Sequence, residues 1–158
     1  MIGIIIPTFR EKENILKLSK KLIRLHPNCK IFIVDDTKEY NLEKYFVNKK
    51  KIIYIYRKNK KGRGSAVIEG FKKAFSIKKI KIFVEMDADF SHKPEELKNN
   101  IIKFKKMNLD LLIASRYLKN SKIYNWSIQR RVFSFMANFL AKILLNVGVS
   151  DYTNGYRI

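Results

Sequence analysis

Cysteine is nearly missing from this chain: Cys29 stands alone among 158 residues, so no disulfide can form within it. A small fold that relies on disulfide staples is thereby excluded, and a reducing setting fits best. Proline and glycine are also scarce, at three and six residues, which excludes collagen-like and Pro/Gly-rich disordered classes. Negative charge is the third shortage. The 14 Asp and Glu are outnumbered by 34 Lys and Arg, a formal net charge of +20. Such an excess attracts nucleic acid, anionic lipid headgroups or phosphorylated substrates, and charge alone does not choose among them. Runs such as Lys49-Lys50-Lys51, Lys60-Lys61 and Lys105-Lys106 are equally consistent with a plain solvated surface. Long apolar runs are lacking too. Val132 to Val149 is interrupted by Asn138, Lys142 and Asn146 and makes a poor membrane span. The opening Met1-Ile2-Gly3-Ile4-Ile5-Ile6-Pro7 carries no basic leader and reads as a first strand rather than a signal peptide.

What is present is a core. Hydrophobic residues make up 46% of the chain, enough for one domain, 1–158, with no linker, repeat or low-complexity boundary inside it. Short β-branched runs at Gly3–Ile6, Lys30–Val34, Ile52–Tyr56, Ile80–Glu85 and Leu109–Ser115 predict strands. Helical spacing falls between them: Ile15, Leu18, Leu22 and Leu25, closed by Pro27; Val67, Phe71, Ala74 and Phe75; and Leu97, Ile101 and Phe104 after Pro94. Alternation of this kind predicts an α/β fold, a mostly parallel sheet covered by helices.

The chemistry centres on Phe83-Val84-Glu85-Met86-Asp87-Ala88-Asp89, an apolar run that stops at two carboxylates one residue apart. Ligands of open α/β sheets bind at the carboxyl ends of strands, which is where Asp87 and Asp89 emerge. A hard divalent cation, Mg²⁺ or Mn²⁺, uses one or two carboxylates together with substrate phosphates. A helix cap or solvated turn explains an Asp-x-Asp equally well. The loop Gly62-Arg63-Gly64-Ser65 leads into a helix and suits a phosphate cradle or a plain turn, and it matches no complete nucleotide fingerprint. Arg116, delivered to the same edge, reads as a phosphate contact or a surface ion pair. His26 and His92 have no second histidine at ligand spacing and read as structural or exposed. Trp126 fits sugar stacking, membrane contact or packing. From Ile128 to Leu145 an apolar helix face admits three readings: a membrane surface helix, packing for another segment, or a core helix.

The order of motifs is more specific than any one of them. Pro7-Thr8-Phe9-Arg10-Glu11, Val34-Asp35-Asp36, Gly62-Arg63-Gly64 and Asp87-Ala88-Asp89 together resemble family 2 glycosyltransferases of the GT-A fold, a Rossmann-like three-layer sandwich. Ser115-Arg116-Tyr117, Asn125-Trp126 through Arg130-Arg131, Ala137-Asn138-Phe139-Leu140 and Ser150-Asp151-Tyr152-Thr153-Asn154-Gly155-Tyr156-Arg157 are similar to the dolichyl-phosphate mannosyltransferase branch. The resemblance implies transfer of mannose from GDP-mannose to a polyprenyl phosphate on the cytosolic membrane face, by a peripheral protein with an anionic membrane surface and a membrane-protein partner, and no nucleic acid. It implies donor binding by Pro7, Thr8, Glu11, Asp35, Asp36, Gly64, Asp87, Ala88 and Arg116, and metal binding by Asp87, Asp89 and Ser91. Arg130, Arg131 and Arg157 would hold the acceptor phosphate; Asp89, Arg116, Arg131 and Asp151 would be catalytic, with Asp151 orienting arginines. Four features depart from the family pattern: Phe9 and Arg10 replace Tyr and Asn, Thr37-Lys38 replaces Gly-Ser, Phe135-Met136 replaces Arg-Gly, and family members continue beyond the position of Ile158. Another family 2 enzyme that passes glucose or a different sugar to a lipid phosphate or glycan, and a donor-binding fragment that transfers no sugar, are the alternatives within the family. A basic nucleic-acid-binding module is the competing class.

Overall fold

A computed structural model describes residues 1–59, 62–119, 121 and 127–158. Lys60, Lys61, Asn125 and Trp126 lie outside the described residues.

The sheet has four parallel strands, β1 (Ile2–Thr8), β2 (Cys29–Asp35), β3 (Ile52–Tyr56) and β4 (Ile82–Glu85), in the order β3-β2-β1-β4. Strands β1 and β2 read as unbroken apolar runs because both of their faces are covered. On one face Ile4, Ile6, Ile31 and Ile33 meet Ile15, Leu18 and Leu22 of α1 (Lys12–Leu25) and Leu97 and Ile101 of α4 (Glu96–Lys106). The alternate residues, Ile5 and Phe32, face Ala74 of α3 (Arg63–Phe75) and Ile80. A single turn of helix, α2 (Glu43–Phe46), precedes β3. Cys29 is buried at the start of β2, and that burial pushes its thiol pKa up, so it behaves as a small core side chain.

Chain order runs outward from β1 to β3, and then β4 returns to the other side of β1. The connections on either side of β1 leave in opposite directions. A crevice opens above the β1–β4 carboxyl ends, where α/β sheets bind their ligands.

The expected fifth strand at Leu109–Ser115 is corrected. No parallel strand forms there; the edge of β4 is taken instead by the segment 156–158. Glu85 N donates to the Arg157 carbonyl at 2.9 Å, and Arg157 N donates back to the Glu85 carbonyl at 3.1 Å. On its other side Ile158 exchanges two 2.9 Å bonds with Leu112, and Ala114 N donates to Tyr156 O. Both pairings are antiparallel bridges. The run 109–113 is only partly buried, with Leu111 52% exposed, and a hydrophobic pattern carries no information about which segment satisfies the backbone.

Helix α5 (Ile128–Leu145) resolves another open reading, since none of its residues is buried and it is not a core helix. Ile128, Phe133 and Leu144 are 81%, 72% and 80% exposed. Polar contacts anchor it: Asn138 Oδ1 accepts from Tyr152 N at 2.6 Å, Asn138 Nδ2 donates to Thr153 Oγ1 at 3.1 Å, and Tyr117 OH donates to Ser134 Oγ at 2.7 Å. Between α3 and the C-terminal turn of α5 runs an apolar groove of about 760 Å³, walled by Phe71, Phe75, Phe83, Leu111, Leu145 and Val147. Among the described residues no helix is long and apolar enough to cross a membrane.

Helix α3 sits against β1 because Gly70 lets it. A Cβ there would stand 2.5 Å from Ile5 Cγ2 and 3.2 Å from Val34 Cγ2. Gly70→Ala is therefore expected to destabilise the fold by about 1–3 kcal/mol, despite the higher helix propensity of alanine. Urea unfolding measures it, and an unchanged midpoint would show that the helix–sheet spacing is not set at this position.

Candidate functional site

The crevice holds a cavity of about 430 Å³. Pro7, Thr8, Phe9 and Glu11 line it from the end of β1, Asp36 from β2, Asp87, Ala88 and Asp89 from β4, and Gly62, Arg63 and Ala66 from the start of α3. Of the residues expected from the sequence, Pro7, Thr8, Glu11, Asp36, Asp87, Ala88 and Asp89 are brought together here. Gly64 is not among the lining residues; Gly62 and Arg63 stand in its place. Thr8 Oγ1 is buried and has no hydrogen-bond partner among the described residues. A buried hydroxyl left unmet is costly, and a polar ligand in the cavity would satisfy it.

Asp35 is not among the residues lining the cavity and is fully buried beside it. Its Oδ1 accepts from Thr37 N at 2.9 Å and its Oδ2 from Tyr54 OH at 2.8 Å. Burial, together with this bond, raises the Tyr54 pKa and keeps the phenol neutral. Thr37 Oγ1 in turn accepts from Arg10 N at 2.7 Å. Two of the departures from the family pattern therefore meet in one contact that fixes the turn after β1.

Asp36 is compensated by Arg57, a residue that no sequence motif singles out. Arg57 Nε and Nη2 donate to its two oxygens, both at 2.5 Å, with each side chain only 5% exposed. Arg57 also donates to Ser65 Oγ at 2.9 Å and to Gly62 O at 3.1 Å. The signal that could have found it is register: Asp35 pairs with Tyr56, so the next residues, Asp36 and Arg57, meet just past the strand ends.

Asp87 is also met by an arginine. Arg63 Nε and Nη2 lie 3.0 and 2.7 Å from its Oδ1, and Nη2 is 2.8 Å from Glu85 Oε1. His92 Nε2 stands 3.6 Å from the other Asp87 oxygen, its ring stacked on Tyr156. Burial works to raise the Asp87 pKa, but His92 and Arg63 outweigh it and hold the carboxyl at about 2. Gly155 permits this packing: a Cβ there would fall 2.2 Å from Arg63 Nη2 and 2.9 Å from Asp87 Oδ2. Asp89 is exposed, and its Oδ1 accepts from Ser91 N at 2.9 Å. Ser91 is not among the lining residues, and its backbone N–H holds the Asp89 carboxylate.

The donor set fits a hard cation. Asp87 and Asp89 offer carboxylate oxygens, and the guanidinium on Asp87 is a stand-in positive charge. Among the described residues no cluster of three His, Cys, Asp or Glu could hold a metal alone. A cation here would need oxygens from a bound phosphate as well.

Asp151 and Arg116 form a third pair. Fully buried Asp151 accepts from Arg116 N at 3.0 Å and from Nε and Nη2 at 2.8 Å each, and Arg116 Nη2 donates to Thr153 Oγ1 at 2.6 Å. Asp151 therefore orients Arg116. Arg116 is not among the residues lining the donor cavity. Arg157 Nη1 lies 3.5 Å from Glu85 Oε2 and its Nη2 donates to Tyr152 O at 3.0 Å, on the side of the apolar groove. Arg130 and Arg131 are exposed on the first turn of α5.

Arg57→Ala leaves Asp36 buried without its counter-charge and is expected to destabilise the protein by about 3–5 kcal/mol. Thermal and urea unfolding measure this, and a loss below about 1 kcal/mol would mean that solvent replaces the guanidinium.

Comparison with known proteins adds a family. The model of glycosyl transferase family 2 matches residues 3–158. The chain is 35% identical over 163 residues to a polyprenol monophosphomannose synthase of Mycolicibacterium smegmatis, covering 98% of this chain and 59% of that protein. It is 34% identical over 149 residues to a dolichol-phosphate mannosyltransferase of Pyrococcus furiosus, covering 91% and 41%. An undecaprenyl-phosphate mannosyltransferase of Micrococcus luteus is 30% identical over 157 residues, covering 97% and 63%. The chain spans less than two thirds of each relative.

Proposed function

Because the chain belongs to glycosyl transferase family 2, we propose that it transfers mannose from GDP-mannose to the phosphate of a polyprenyl lipid at a membrane surface. The observation that carries the reading is the exit of Asp87 and Asp89 from β4 into the cavity that Thr8, Glu11 and Asp36 also line. The names of the three relatives, all polyprenyl-phosphate mannosyl enzymes, supply the sugar and the acceptor class.

In this reading Pro7, Thr8 and Glu11 seat the nucleoside, with the unmet Thr8 hydroxyl donating to it or accepting from it. Asp87 and Asp89 hold Mg²⁺ or Mn²⁺ on the donor diphosphate. Such a cation, when bound, neutralises the charge that develops on the departing nucleoside diphosphate. The acceptor phosphate is already ionised, so its oxygen attacks the anomeric carbon without a general base and inverts it. Asp151 is then a positioning residue: with both its oxygens engaged by Arg116, it holds that guanidinium toward the reacting phosphates. Arg130, Arg131 and Arg157 align the acceptor phosphate by charge. The apolar side chains of α5 enter the lipid interface, and the +20 charge favours anionic headgroups over neutral ones.

The test is calorimetric titration with GDP-mannose, with and without Mn²⁺, followed by labelled GDP-mannose with a short polyprenyl phosphate in anionic vesicles. Expected are Mn²⁺-dependent binding, co-sedimentation with the vesicles and label in the lipid fraction. Asp87→Asn and Asp89→Asn should each weaken donor binding by about tenfold or more, as loss of a metal ligand does. Unchanged Mn²⁺-dependent affinity in both variants would refute the cation assignment. Binding of nucleic acid but of no sugar nucleotide would favour the basic-module reading.

A further inference from the structure

The proposed cation site already holds a positive charge that belongs to the chain. Arg63 is the first residue of α3, placed after Gly62, whose φ of 86° sets the direction in which the helix starts. Its Nε and Nη2 both reach Asp87 Oδ1, at 3.0 and 2.7 Å, and Nη2 also lies 2.8 Å from Glu85 Oε1. The backbone of Gly155 walls this guanidinium in, with no room for a Cβ between them. A divalent cation binds a carboxylate oxygen at roughly 2.0–2.6 Å. A cation at that distance from the oxygen Arg63 already bridges would stand against the guanidinium, and two positive charges that close repel strongly.

The surrounding network lets Arg63 leave. Glu85 is 2% exposed and would be costly to strand, but it has a second cation, since Arg157 Nη1 is 3.5 Å from its Oε2. Arg63 itself is 47% exposed, so its side chain has solvent to move into. Gly62 and Arg63 both line the cavity, so a diphosphate bound there would offer the released guanidinium new oxygen partners.

We propose that Arg63 is a displaceable counter-ion of Asp87, a positioning residue that keeps the site closed to free divalent cation and yields it when cation and nucleoside diphosphate arrive together. This rests on the donor-site reading above. Cation and nucleotide then bind with positive coupling, because each makes release of Arg63 more favourable for the other. Arg63 therefore tunes the order in which the site is filled.

Mn²⁺ binding followed by electron paramagnetic resonance tests this without catalysis, in the parent protein, Arg63→Gln, Arg63→Lys and Asp87→Asn, each with and without GDP. Arg63→Gln is expected to bind Mn²⁺ alone on the order of threefold to tenfold more tightly than the parent, and to gain less from added GDP. Arg63→Lys, which cannot make the two-pronged contact, should fall between them. Circular dichroism identifies any variant that does not fold, and the Lys variant then carries the comparison. Equal or weaker Mn²⁺ affinity in folded Arg63→Gln, with binding still lost in Asp87→Asn, overturns the exchange and leaves the donor site standing. No Mn²⁺ binding to any of the proteins, with or without GDP, overturns the cation site and the exchange together.

Discussion

Asp36 and Arg57 meet through two 2.5 Å contacts just beyond the ends of β2 and β3, and the rest of the carboxyl edge is built on the same kind of bond. From Arg57 the contacts pass to Ser65 and Gly62, which fix where α3 begins and hence where Arg63 points. Arg63 spans Asp87 and Glu85, Arg157 takes the other oxygen of Glu85, and Arg116 is held by Asp151. An isolated carboxylate at this edge would be desolvated without compensation. Pairing Asp36, Glu85, Asp87 and Asp151 with planar, always charged guanidinium groups offsets that cost in a partly buried crevice.

Scarcity gives this arrangement its meaning. With 14 acidic residues in the whole chain, the placement of Asp35, Asp36, Glu85, Asp87, Asp89 and Asp151 along one edge is a concentrated use of negative charge. The fold supplies the location: β4 returns beside β1, and the crevice follows from that reversal. On other surfaces the balance is reversed, with exposed lysines and an α5 whose apolar side chains are uncovered. An acidic edge, a basic exterior and an exposed apolar helix are the features on which the proposed donor and lipid-phosphate reading rests.

Much of this architecture is legible in the amino-acid sequence. Strands β1 and β2 announce themselves because apolar residues buried on both faces leave unbroken runs, β3 and β4 are short apolar runs that are partly buried, and Ile15, Leu18 and Leu22 mark α1 by spacing alone. The cavity residues are legible through motif order, since Thr8, Asp36 and Asp87 each stand at or just past a strand end. Backbone partners are not legible. Leu109–Ser115 looks like a strand because it is partly buried, yet the edge of β4 belongs to Arg157. Arginine pairing is hidden for a similar reason: Arg57 belongs to no motif and Arg63 reads as part of a glycine turn, and only strand register and a helix start bring them to Asp36 and Asp87. The periodicity of α5 specifies an apolar face but not what lies against it, and the fold leaves that face open.

In the proposed function, the crevice between β1 and β4 is a nucleoside-diphosphate site in which Asp87 and Asp89 face the diphosphate across a divalent cation. A crystal structure of the protein with GDP and Mn²⁺, using the anomalous signal of manganese, tests it directly. An anomalous peak within coordination distance of Asp87 and Asp89 is expected, with the nucleoside against Thr8 and Glu11. Nucleotide bound elsewhere, or bound in the crevice with no manganese at these two carboxylates, would contradict it.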